Sequence, residues 1–257
     1  MPNYSGGSMS KQNIFDNSIF FEGYKGIRNR ENNANVLFEI PALFSLMPDL
    51  ADKRVLDLGC GYGEHCKAFI ESGASKVVGI DISSKMLEVA NKENSDPAIT
   101  YINMPMEDID ELNAEFDVVV SSLAIHYVED YRGLLRKIRN KLHTGGFFIF
   151  SQEHPFSTTY GNCDFNRWTK DNAGNKQYVN IANYGIEGER ESEWFISGIK
   201  KYHRTFSTIL NNLIDEGFEL EKIIEPVPDQ ELLKKYPEHS DLFHKPDFLL
   251  VRASKRY

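Results

Sequence analysis

Asp57, Gly59, Gly61, Gly63 and Glu64 fall within one run of eight residues, and Asp81 lies 22 residues after Gly59. Glycines at alternate positions closing an apolar run let the backbone take positive φ and approach a ligand closely. An acid at that distance downstream, at the end of a second apolar run, accepts hydrogen bonds from a ribose diol in a doubly wound sheet. The pair points to a nucleoside-containing ligand, and the glycine frame narrows its type. A dinucleotide turn wants G-x-G-x-x-G, with a third glycine for close helix–strand packing. Here Glu64 stands at that place, and a carboxylate there would repel a pyrophosphate. Asp57 and Glu64 instead suit a ligand with a cationic end and no phosphate, such as S-adenosylmethionine.

These residues need a strand, a tight turn and a helix to hold them. Residues 54–58 read as a buried strand and 63–72 as the helix behind the turn, whose first N–H groups face a polar ligand. Strands are expected near 77–82, 99–103, 116–122, 146–153, 218–224 and 248–253. Ser83 or Ser84 is a plausible cap for a helix through Met86, Leu87 and Ala90. Leu134, Leu135, Ile138 and Leu142 share one face of a helix over 130–142. Residues 12–29 read as a short apolar-faced helix, and 35–49 as a helix kinked or broken at Pro41.

Four stretches in order carry a family resemblance. Val55 to Glu64 resembles the first motif of class I S-adenosylmethionine-dependent methyltransferases, and Ile80-Asp81-Ile82-Ser83 the second. Phe116 to Ser122 resembles their fourth-strand motif, and Leu142 to Ile149 the turn into the fifth strand. The match is to the type 11, small-molecule branch, within an uncharacterised bacterial subset. It implies an α/β fold: a Rossmann-like, seven-stranded, mostly parallel sheet of order 3-2-1-4-5-7-6, strand 7 antiparallel, with helices on both faces. It also implies residues 1–50 as tail and cap helices and 51–257 as the methyltransferase domain.

By that resemblance, S-adenosylmethionine is the cofactor and S-adenosylhomocysteine the product. The binding set is Asp57, Gly59, Cys60, Gly61, Gly63, Asp81, Ile82, Met86, Met106, Glu107, Ser121, Leu123 and His126. Tyr24 and Arg28 would reach the methionine end from the cap. One departure is Pro105, which stands where relatives carry an adenine-reading Asp, leaving that task to Met106 and Glu107. The ligand crevice at the C-terminal end of strand 4 brings His126 near the methyl donor. Methyl transfer from a sulfonium is an in-line displacement with a neutral leaving group, so no metal is needed. A base helps if the acceptor carries a proton. His126, His154 and His203 are the catalytic candidates, since imidazole titrates near neutrality.

Residues 156–200 are rich in Asn, Gly and aromatics, and a loop of that length reads as a lid. The net charge of −9 disfavours a nucleic-acid surface. No apolar run reaches the ~20 residues of a membrane span. The first eight residues have neither the basic nor the apolar part of a signal peptide and read as a flexible tail. Three cysteines, irregularly spaced, make neither a disulfide framework nor a zinc site and fit a cytoplasmic setting. The expected acceptor is a small organic molecule. The alternatives are a non-catalytic cofactor-binding module or another nucleoside-cofactor enzyme of the same fold. No sequence feature sets the oligomeric state.

Overall fold

The computed structural model describes residues 12–28, 31–159 and 166–257, with backbone only for Ile27 and Arg28. The expected tail, the Arg28 contact, and Tyr160 and Phe165 of the expected lid lie outside the described residues.

Strand β1 (Arg54–Leu58) forms because its side chains alternate between two apolar layers: Val55 enters one, Leu56 and Leu58 the other. The same alternation runs through β2 (Lys76–Asp81), β3 (Ile99–Asn103), β4 (Phe116–Ser121), β5 (Leu142–Glu153), β6 (Phe218–Ile224) and β7 (Phe248–Lys255). They pair in the order β6-β7-β5-β4-β1-β2-β3. The first five are mutually parallel, and β7 runs antiparallel to both β5 and β6. This is the expected Rossmann-like sheet. Register is fixed at the centre, where Asp57 lies beside Gly79 on one side and Val120 on the other.

Helices cover both faces. Helices α5 (Tyr131–Lys141) and α6 (Phe206–Asp215) bring Leu134, Leu135, Ile138, Ile209 and Leu213 against Leu56, Val119 and Phe148. Across the sheet, α2 (Ile40–Ser45), α3 (Glu64–Glu71) and α4 (Ser84–Glu93) bring Leu43, Phe69 and Leu87 against Val55, Val77 and Val118. Each such side chain, fully buried, contributes roughly 1.5–3 kcal/mol. Polar caps start the helices as their sequences suggest: Ser83 accepts from Met86 N at α4, Asp130 from Gly133 N at α5, and Thr205 from Thr208 N at α6.

The helix expected over 35–49, kinked or broken at Pro41, is irregular just before that proline and ends early. Residues Asn35–Glu39 form a π-helical turn, α2 follows, and it stops at Ser45. Pro41 is the second residue of α2, directly after the π-helical turn, across which Ile40 N donates to Asn35 O.

The long segment after β5 folds into two hairpins. Trp168–Lys170 pairs with Lys176–Val179, and Gly188–Ser192 with Ile199–His203. The second packs on α1 (Ser18–Arg28), with Ile199 and Phe195 against Ile14, Phe20 and Tyr24. Residues 12–17 span from this hairpin to α4. The Gln12 side-chain amide donates to Lys200 O (3.1 Å) and accepts from Lys200 N (2.8 Å), while Asp16 accepts from Ser83 Oγ (2.6 Å) and Lys85 N (3.2 Å). Among the described residues no helix is long and apolar enough to cross a membrane.

Candidate active site

The C-terminal ends of β1, β2, β4 and β5 open on one cavity of about 760 Å³, roofed by α1 and the second hairpin. Asp81 ends β2 and is nearly buried; its Oδ2 accepts from Gly61 N (2.9 Å) and its Oδ1 from Ser83 N (2.8 Å). One carboxylate thus ties the glycine turn to the start of α4, and each oxygen keeps a lone pair for a ligand. Burial raises its pKa, against the lowering by those two N–H groups.

The three glycines have different reasons. A Cβ on Gly59 (φ 72°) would come within 2.6 Å of Ala124 Cβ, in the loop after β4. One on Gly63 (φ 77°) would lie 2.1 Å from the Tyr101 hydroxyl, so packing explains that glycine and no ligand need be invoked. Gly61 (φ 53°) lines the cavity, and a Cβ there would meet no protein atom within 4 Å. That open space is a cradle for a ligand.

Asp57 stands behind the turn, outside the cavity lining. Its Oδ2 accepts from the Cys66 thiol at 3.3 Å, and its buried Oδ1 makes no hydrogen bond among the described residues. Burial pushes its pKa up to about 7, the Cys66 contact opposes this, and the charges of Asp81 and Glu39 add to it. Ser121 is not brought to the cavity either: it is fully buried and donates to Leu58 O (3.1 Å). Tyr24, Gly59, Cys60, Gly61, Asp81, Ile82, Met86, Met106, Glu107, Leu123 and His126 all line the cavity.

Of the three expected catalytic histidines, the structure brings only His126 to the wall. His154 and His203 lie off that lining. The Nε2 of His154 meets Glu225 Oε1 (2.7 Å) and its Nδ1 accepts from Phe156 N (3.1 Å). His203 lies between Thr158 Oγ1 (2.7 Å) and Tyr184 O (2.9 Å). Both are buried with both ring nitrogens engaged, and they brace the segment after β5. The Nδ1 of His126 accepts from Glu153 N at 3.4 Å, so the neutral ring carries its proton on Nε2. Burial pulls its pKa down to about 4, against the raising effect of Glu153. The ring is therefore neutral at pH 7 and presents a donor rather than a base.

Three proteins are similar to this chain over most of its length. A protein of Haemophilus influenzae is 38% identical over 253 residues, covering 96% of this chain and 98% of its own. An S-adenosylmethionine-dependent methyltransferase from Mesorhizobium loti, solved as a crystal structure, is 36% identical with a TM-score of 0.77, covering 90% of this chain and 100% of that one. A solved Listeria monocytogenes protein is 39% identical, with a TM-score of 0.78, over 85% of this chain and 97% of that one. Residues 56–150 match the model of the family described as a methyltransferase domain. The chain belongs to the class I S-adenosylmethionine-dependent methyltransferases.

The methyltransferase's own residues fit that cofactor. Asp81 offers acceptors for a ribose diol, and Gly61 leaves room beside it. Among the described residues lining the cavity are seven carboxylates, Glu39, Glu64 and Glu153 included, against one lysine, Lys200. That balance favours the cofactor's sulfonium and ammonium.

Glu39, on the wall, was not signalled by the sequence. Glu39 is 1% exposed and accepts from Ser122 Oγ (2.9 Å) and Ser151 Oγ. Its partners lie 83 and 112 residues away, and within an amphipathic pattern it reads as a solvated helix residue. Glu153, at the end of the fifth strand, pairs with Lys201 and lines the cavity beside His126.

Proposed function

We propose that the methyltransferase acts on a small organic acceptor by in-line displacement without a metal. The observation that carries this reading is the shape of the cavity. It lies within the roughly 300–1,000 Å³ usual for small-molecule sites. Beyond the acid-and-glycine end, its wall includes the aromatic rings of Phe15, Tyr24, Tyr127 and Trp194. Trp194 and Tyr24 meet edge to face at 6.1 Å, as do Phe15 and Tyr127 at 6.3 Å. Such walls exclude water and take a flat or partly apolar molecule. The net charge of −9 gives no support to a nucleic-acid acceptor.

The bound cofactor supplies a methyl group on a positively charged sulfur, and the thioether that leaves is neutral. The chain's part is alignment. In this reading Asp81 accepts from the ribose hydroxyls, Gly59, Cys60 and Gly61 admit the methionine portion, and Ile82, Met86, Met106 and Glu107 bound the adenine. Asp57 and Glu64 offset the positive charge from behind and beside the turn. Tyr24 closes over the methionine end. His126, donating from Nε2, orients the acceptor, and Glu153 receives a proton or hydrogen bond from it. Fixing the acceptor in line with methyl and sulfur contributes most of the acceleration.

The test is transfer of labelled methyl from S-adenosylmethionine to pools of small amines, phenols, alcohols and carboxylates, with and without a chelator. Label in at least one small-molecule pool, undiminished by chelator, is the expected result. Label confined to RNA or protein, or lost with chelator, would refute the reading.

A further inference from the structure

We infer that Glu39 is a positioning residue: acting through Ser151, its carboxylate holds Leu123 in a left-handed backbone conformation and so sets the loop that walls the cofactor cavity. Leu123 has φ 50°, a region that side chains other than glycine rarely occupy and that needs support from its surroundings. The support is visible. Leu123 N donates to Ser151 Oγ (3.0 Å) and to Ser151 O (3.1 Å). The Ser151 hydroxyl in turn donates to Glu39 Oε1. A hydroxyl has one proton. Once that proton is given to the carboxylate, the oxygen turns a lone pair toward the Leu123 N–H. Ser122 Oγ donates to the same Glu39 oxygen at 2.9 Å, so one carboxylate clamps the ends of both β4 and β5. Glu39 is 1% exposed and Ser151 fully buried, so water does not compete for these bonds.

The loop held this way is the cavity wall: Leu123, Ala124, His126 and Tyr127 all line it. Ala124 Cβ fills the space that a Cβ on Gly59 would need, so loop and glycine turn fit as a pair. A slip of the loop would change the cavity where the cofactor passes the turn. Glu39 is also the last residue of the π-helical turn, whose Asn35 and Val36 line the same cavity. Single π turns within helices recur at functional sites. This one gives an inward place to a carboxylate in an otherwise apolar face.

The inference rests on the cofactor assignment only through its probe, S-adenosylhomocysteine. Binding is measured by calorimetry, with thermal melts alongside, on the unaltered protein and on Ser151→Ala, Leu123→Gly, Glu39→Ala, Glu39→Gln and the pairs L123G/S151A and E39A/S151A. Ser151→Ala should weaken binding about tenfold, the size of one lost hydrogen bond. Added to Leu123→Gly, the same change should cost less than about twofold, because glycine takes positive φ unaided. E39A/S151A should be no weaker than the weaker single variant, and Glu39→Gln, which keeps an acceptor oxygen, should fall between Glu39→Ala and the unaltered protein. Equal losses from Ser151→Ala in the leucine and glycine backgrounds would overturn the inference, since a merely structural serine gives that result. So would additive losses in E39A/S151A. If Glu39→Ala does not fold, the Ser151–Leu123 cycle decides alone. If the unaltered protein binds no S-adenosylhomocysteine, the cofactor assignment fails, and the same cycle is decided by the melts.

Discussion

Replacing Asp81 with alanine should weaken S-adenosylhomocysteine binding about a hundredfold. Both carboxylate oxygens are spoken for once, by Gly61 N and Ser83 N, and the group is only 8% exposed. The remaining lone pairs are therefore held in place for a ribose diol, with little water to compete. A hydrogen bond to a charged acceptor contributes about 1.5–3 kcal/mol. Two at the lower end give about 3 kcal/mol, or about a hundredfold in Kd. Release of the Gly61 tie would add to the loss. Calorimetry on the variant, with a thermal melt to show that it folds, measures the effect. A 2′,3′-dideoxy analogue sharpens it: the unaltered protein should prefer the diol, and Asp81→Ala should not. A folded variant whose Kd stays within about threefold, or which keeps the preference, would refute the placing of the ribose.

Four further outcomes follow from the cavity and its surroundings. Asp57 holds its proton below about pH 7 when folded and loses it near 3.8 when unfolded, so the folded state binds more protons between those values. Stability should then fall as pH rises through that window, by up to about 4 kcal/mol, and melts from pH 4 to 8 should show Asp57→Asn without that slope. Gly61→Ala, with open space at its Cβ, should cost only about 1 kcal/mol in stability from its positive φ, yet block the ligand cradle. A melt near that of the unaltered protein with binding lost distinguishes it from Gly59→Ala, which also meets Ala124. His126→Ala should lower kcat on an identified acceptor about ten- to hundredfold. His154→Ala and His203→Ala should keep turnover within about threefold while losing about 1–3 kcal/mol of stability, as Glu225 and Thr158 lose their partners.

The parts that could be read from sequence are those where local physics leaves little choice. Strand β1 and its turn were legible because a buried strand, positive-φ glycines and a following helix each constrain the residues that carry them. The place of Asp81 was legible because it ends the second apolar run, which pairs beside the strand that carries the glycine turn. The helix cap at Ser83 is local for the same reason. Glu39 was not legible, because its meaning lies in two serines brought together by the sheet. The surroundings of two histidines were hidden for a related reason. His154 and His203 have the right side chain, but their partners, Glu225, Thr158 and the Tyr184 carbonyl, are set by tertiary packing. The hairpins after β5 are short and mostly exposed, so their strands lack the apolar alternation that marked the main sheet.

The place of β7 has a consequence for synthesis. It is the last strand along the chain, yet it sits inside the sheet, between β5 and β6. Until residues 248–255 leave the ribosome, β6 has no partner and β5 presents an open edge beside Phe148 and Phe150. A nascent or prematurely terminated chain thus exposes a long, apolar strand edge, the kind that pairs with other chains. Cofactor elements on β1 and β2 can assemble well before that moment. Loss of residues 248–257 would therefore be felt first as aggregation.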